Sequence, residues 1–118
     1  MADMSHNSGR VIAVSIGKLR GSGKNPVEKA YFRKNHGPVG DAHAGPGPRQ
    51  VAILARERVR EVGKKGIEAG PGDFAENLLV EGIDFSRVYP GTIVKAGPVL
   101  LRATERGKAE WKAGDYSH

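Results

Sequence analysis

The sequence predicts a mainly β domain: a largely antiparallel barrel with one or two short helices. Three observations carry that expectation. Seventeen glycines and seven prolines punctuate 118 residues that hold only three Phe, three Tyr and one Trp, so turns are many and strands short. Apolar runs are brief and β-branched, as in Arg10-Val11-Ile12-Ala13-Val14-Ser15-Ile16. Helical spacing of apolar residues is clear in one place, at Ala55, Val59 and Val62. A chain of this length supports one domain with one modest core, expected over residues 10–118 behind a loose polar leader, residues 1–9.

Taken in order, Arg10 to Ile16 reads as a strand covered on both faces and ended by Gly17. Lys18 to Pro26 is expected to be a mobile basic loop. Its Gly-x-Gly-Lys lacks the remainder of a phosphate-loop pattern and the helix that would follow. Val27 to Arg33 is a second strand, and Val39 to Pro48 a loop whose glycines and prolines give it a defined shape. Arg49 to Leu54 reads as a buried strand leading into a helix from Ala55 to Lys64, with Glu57, Arg58, Arg60 and Glu61 on its wet face, stopped by Gly63 and Gly66. After the turn Gly70-Pro71-Gly72 come a short strand at Leu78 to Val80 and a helical turn at Asp84 to Val88 capped by Asp84. A hairpin then pairs Thr92 to Lys95 with Val99 to Thr104 across Ala96-Gly97-Pro98.

The formal charge of +6 invites an anion. Lys and Arg are dispersed and no basic stripe is interleaved with aromatics, which argues against nucleic acid and for a small anionic ligand. The absence of cysteine excludes disulfides, thiolate metal sites and cysteine nucleophiles. No apolar run approaches the roughly 20 residues of a membrane span, and the N-terminal residues lack a signal-peptide core, so a cytoplasmic protein is expected.

Chemistry concentrates in two glycine-framed segments. One is Gly40-Asp41-Ala42-His43-Ala44-Gly45 with Arg49-Gln50-Val51 behind it; the other is Gly72-Asp73-Phe74-Ala75-Glu76-Asn77-Leu78. Each sets short polar side chains between glycines ahead of an apolar run, and the two are read as one site. Asp41 and His43 could ligate a metal or position a proton. With four histidines in the chain and no third ligand in reach, they read instead as walls of a pocket, and no metal site is assigned. Arg49, at the start of an apolar strand, needs an anion: the phosphate or carboxylate of a ligand, or Asp73 or Glu76. Asp73 reads as a turn cap, whereas Asn77 leans toward ligand contact.

The order Gly-Asp-x-His-Ala-Gly, Arg-Gln-Val, Gly-Asp-Phe-x-Glu-Asn-Leu-x-Val-Glu-Gly-Ile-Asp and Pro-Gly-Thr-x-x-x-x-Gly, from about Val11 to about Lys108, resembles the MOSC domain. That module is named after the C-terminal domain of molybdenum-cofactor sulfurases, and the chain looks most like its small stand-alone bacterial versions. The resemblance implies a MOSC-like barrel and a cofactor pocket formed by Asp41, His43, Arg49, Gln50, Asp73, Glu76, Asn77 and Lys108. It implies molybdenum cofactor or a related pterin or phosphate anion as ligand, with molybdoenzymes or cofactor-biosynthesis proteins as partners. Pyridoxal phosphate, also tied to the family, would use Lys108 as its Schiff-base lysine.

Two departures shape the functional expectation. Relatives place a cysteine shortly after the position of Lys108 to carry sulfur as a persulfide, whereas Ala109-Glu110-Trp111-Lys112 stand here, so sulfur-carrier chemistry lacks its thiolate. Relatives also continue through further strands, so a shortened barrel is expected, with an open edge that favours a homodimer. A carrier or accessory role without covalent chemistry is therefore expected. The alternatives are a molybdenum-dependent reductase component and a degenerate interaction module, and enzymatic activity is left open.

Overall fold

The computed structural model describes residues 7–19 and 22–105. Lys108 and the matching stretch around it lie outside the described residues. The described residues form eight strands and one α-helix: β1 Arg10–Ile16, β2 Asn25–Val27, β3 Phe32–Arg33, β4 Gly37–Pro38, β5 Ile53–Ala55, α1 Arg56–Lys64, β6 Leu78–Glu81, β7 Ile93–Ala96 and β8 Val99–Arg102, with a short 3-10 turn at Phe85–Arg87. β2, β1, β6 and β5 form a four-stranded sheet in that order, while β3-β4 and β7-β8 are separate two-stranded ribbons. Among the described residues these sheets do not close into a barrel.

β6 is central because its Leu78-Leu79-Val80 run is apolar at consecutive positions, which suits a strand covered on both faces. Among the described residues these three are buried in the core with Leu54, and Pro38 is fully buried as well. β1 pairs antiparallel with β6, with a register shift between Val11 and Ala13. β5 pairs with β6 in parallel, and a parallel neighbour requires a crossover. α1 supplies the crossover's helix. Its Val59 and Val62 are half-buried and no residue of the helix is fully covered. The helix ends in a left-handed glycine cap: Gly66 has φ +94°, Gly66 N–H donates to Gly63 O at 3.0 Å, and Ile67 N–H donates to Val62 O at 3.3 Å. Gly66 thus stops the helix, and Gly63 lies inside it.

Other expectations shift with the tertiary contacts. Toward the N-terminal end of β1, Arg10 and Val11 are exposed, so that strand is not covered on both faces along its length. The stretch expected as one strand from Val27 to Arg33 is split into β2 and β3. The strand expected from Arg49 is confined to β5, because Ala52 O accepts from both Asn77 N at 2.8 Å and Leu78 N at 3.1 Å, which fixes where pairing with β6 begins. Asn7, expected in the loose leader, bonds both backbone groups of Asp84 at 2.8 Å. Asp84 caps the 3-10 turn by accepting from Ser86 N–H at 3.0 Å.

The β7-β8 ribbon turns Val94, Ala96, Val99 and Leu101 to one side, all half-buried. An open cleft of about 1570 Å³ is lined by this side and by Leu54, Leu78 and Val80 of the sheet. No helix among the described residues is long and apolar enough to cross a membrane.

Candidate functional site

β1 ends at Ile16, and the residues around that end receive two distant loops. Asn77, at the start of β6, is 1% exposed and uses both ends of its amide. Its Oδ1 accepts from Ala52 N–H at 3.0 Å, and its Nδ2 donates to Ser15 O and to Asp41 Oδ1, both at 3.1 Å. Ser15 N–H donates in turn to Asn77 O at 2.7 Å. Asp41 also accepts from Gly17 N–H at 2.9 Å and from His43 N–H at 3.1 Å, while Ala42 N–H donates to Gly17 O at 2.7 Å. The two glycine-framed segments therefore meet on one carboxylate.

The cation that balances this carboxylate is Lys24. Its Nζ lies 2.8 Å from Asp41 Oδ1 and 3.0 Å from Oδ2, with side-chain exposures of 2% for Lys24 and 0% for Asp41. Nζ is also 3.2 Å from His43 Nδ1. Sequence reasoning placed Lys24 in a mobile loop. The signal it passed over lies in the β1-β2 pairing, where Ile16 faces Asn25: an earlier start for the second strand sets Lys24 across from Gly17, against the Asp41 loop. Burial alone would raise the Asp41 carboxyl; the bonds from Gly17 N–H, the Lys24 ammonium and His43 N–H outweigh it, so the group sits below its ordinary value. Its stabilising contribution is present above the unfolded carboxyl value and is lost as pH falls through the lower folded value.

Glycine is required where the third loop meets Lys24. Gly72 has φ +85°, and a Cβ there would strike Lys24 O, since Lys24 N–H donates to Gly72 O at 2.7 Å. Gly72 N–H and Phe74 N–H bond the Glu76 carboxylate at 2.7 and 3.2 Å. Glu76 is 3% exposed, and burial raises its carboxyl; the amide bonds oppose this incompletely, and the Asp73 charge adds to the rise. A raised folded value means that Glu76 contributes stability below its unfolded value and loses that contribution as pH rises through the folded one. Denaturant midpoints of the parent are expected to decline through that window, and Glu76→Gln is expected to flatten the decline. Between Phe74 and Glu76, Ala75 is held at φ +63°. A left-handed L-residue costs about 1–2 kcal/mol and glycine gives back about 0.5–1 in backbone entropy. Ala75→Gly is therefore expected to raise stability by about 0–1.5 kcal/mol, read as a higher midpoint at unchanged slope.

The remaining expected site residues lie elsewhere. Asp73 is exposed and accepts from Gly70 N–H at 2.7 Å, a turn cap. Gln50 is half-buried on the wall of the open cleft. Arg49 pairs with Glu105 through Nε at 2.7 Å, with side-chain exposures of 79% and 51%, and not with Asp73 or Glu76. The reason is the late start of β5: Arg49 sits in a surface segment, which Thr104 Oγ1 ties to the end of β8 by donating to Pro48 O at 2.7 Å. No group of three or more His, Asp or Glu among the described residues is placed to hold a metal ion.

The arrangement thus offers a buried, internally neutralised Lys24-Asp41 pair, a half-buried imidazole held against it, and glycine-rich backbone around them. Comparison with known proteins gives a family and a fold. The family model described as "MOSC domain" matches residues 39–109. No curated protein matches the chain. Among solved structures, one described as a hypothetical protein aligns with a TM-score of 0.62 at 26% identity, over 81% of this chain and 44% of that one. YiiM from Escherichia coli aligns with a TM-score of 0.57 at 23% identity, over 80% and 44%. The chain spans less than half the length of these two structures.

Proposed function

Because the chain belongs to the MOSC domain family, we propose that it binds molybdenum cofactor, or a related pterin-phosphate anion, as a carrier or accessory without covalent sulfur transfer. The observation that carries this reading is the convergence of three glycine-bearing loops on the Asp41 carboxylate, which builds a rigid polar rim beside a buried lysine and a histidine. Asp41, Asn77 and Glu76 are engaged with backbone and with one another's loops, so they shape the site. We read His43 as the group that meets a phosphate, since the amides of residues 42–45 are already bonded within the fold, and Arg49 is an exposed guanidinium on the same loop. These nitrogen donors fit an anionic pterin phosphate, and no cysteine is present to ligate its metal. When bound, the cofactor would supply the metal and its redox chemistry, and the chain would hold and shield it.

The test is the molybdenum content and pterin fluorescence of protein purified from a host that makes the cofactor. Enrichment that is lost in His43→Ala supports the reading; protein free of both molybdenum and pterin overturns it. In the same assay Arg49→Ala is expected to lower retention about ten-fold, the size of one charge-assisted contact, and Arg49→Lys to behave like it because the planar fork is lost. Retention unchanged in both removes Arg49 from the site.

A further inference from the structure

The Lys24, Asp41 and His43 contacts fix the state of the imidazole as well as its position. An ammonium has three N–H donors and no acceptor. Lys24 Nζ lies within hydrogen-bond reach of Asp41 Oδ1 and Oδ2, at 2.8 and 3.0 Å, and of His43 Nδ1 at 3.2 Å. Accepting from Lys24 requires a lone pair on Nδ1, so the ring proton belongs on Nε2. A second proton at Nδ1 would set N–H against an ammonium 3.2 Å away, in a place where the lysine side chain is 2% exposed. The backbone that carries the ring is held in place, because His43 N–H is bonded to Asp41 Oδ2 at 3.1 Å. The nearby acids among the described residues do not reverse this. Asp41 is engaged by Gly17, Lys24, His43 and Asn77; Glu76 is held by the Gly72 and Phe74 amides across from Lys24; and Asp73 caps Gly70. Lys18, on the turn after β1, is exposed and adds only positive charge.

We propose that Lys24 is the positioning residue of this site, holding His43 as a neutral imidazole protonated at Nε2. A ring held in this state adds no titrating charge to the site, so the site's affinity for an oxyanion does not rise on mild acidification. The statement about affinity rests on the anion reading above; the statement about the ring does not.

Long-range 1H–15N correlation spectra of the parent chain, with His43→Gln to identify the resonances, report both ring nitrogens directly. The expected result is a protonated Nε2 and an unprotonated, hydrogen-bonded Nδ1, unchanged from about pH 8 to about pH 5. In Lys24→Met combined with Asp41→Asn, which removes both charges together, the ring is expected to gain its second proton near the ordinary value of about 6.5. A proton on Nδ1 in the parent, or a second proton taken up in the parent within that window, overturns the proposal. The parent spectrum decides even if the double variant does not fold. Absence of molybdenum and pterin from the purified protein, with the ring in the expected state, would sink the cofactor reading alone.

Discussion

Lys24→Met is expected to cost about 3 kcal/mol of folding stability, the low end of the roughly 3–5 that follows removal of one partner from a buried ion pair. Both side chains are shielded from water, with exposures of 2% and 0%, so the Asp41 charge left behind has no solvent to replace the ammonium. The low end is expected because Gly17 N–H, His43 N–H and Asn77 Nδ2 still donate to that carboxylate. Against the roughly 5–15 kcal/mol that holds an ordinary domain together, such a loss is large. Urea unfolding would show it as a lower midpoint, and adding Asp41→Asn should restore part of it by removing the stranded charge. A loss below about 0.5 kcal/mol, as for a surface lysine, would mean that Lys24 is solvated as its loop sequence suggested.

Asn77→Asp is expected to be at least as damaging although it changes neither size nor shape. Asn77 Nδ2 points a donor at Ser15 O and at Asp41 Oδ1, 3.1 Å from each. The substitution turns that donor into an oxygen facing a carbonyl and a carboxylate, at a residue 1% exposed. An uncompensated buried charge costs on the order of 3–5 kcal/mol. Asn77→Ala, which leaves unsatisfied partners but adds no charge, should cost about 1–3. The isosteric change should therefore be worse than the truncation at neutral pH, and the gap should narrow in acid as the introduced carboxyl takes up a proton. Chemical denaturation of both variants at two pH values gives the ranking; truncation worse than the isosteric change would contradict the donor role of Nδ2.

How much of this was legible in the sequence depended on how local each signal was. The helical turn at Asp84, the β7-β8 hairpin and the β6 run are set by neighbours a few residues away, and their patterns are readable. Asp41 and Asn77, 36 positions apart, could be assigned to one site because glycines frame both. Lys24 could not, since glycine and serine around a lysine describe a solvated loop equally well, and only the antiparallel pairing of β1 with β2 turns it inward. Arg49 failed for the opposite reason. Its apolar successors suggested a strand, but Asn77 N–H and Leu78 N–H donate to Ala52 O, so β5 begins late and Arg49 stays at the surface beside Glu105. The open cleft between sheet and hairpin likewise depends on how elements pack, which strand patterns do not encode.

The convergence of the loops on Asp41 is tested most directly by a double-mutant cycle between Lys24 and Asn77, residues that meet through that carboxylate. Stabilities of the parent, Lys24→Met, Asn77→Ala and the double variant are predicted to be non-additive by about 1 kcal/mol or more, as expected for members of one hydrogen-bonded network. Additivity within about 0.3–0.5 kcal/mol, the behaviour of separate sites, would contradict it.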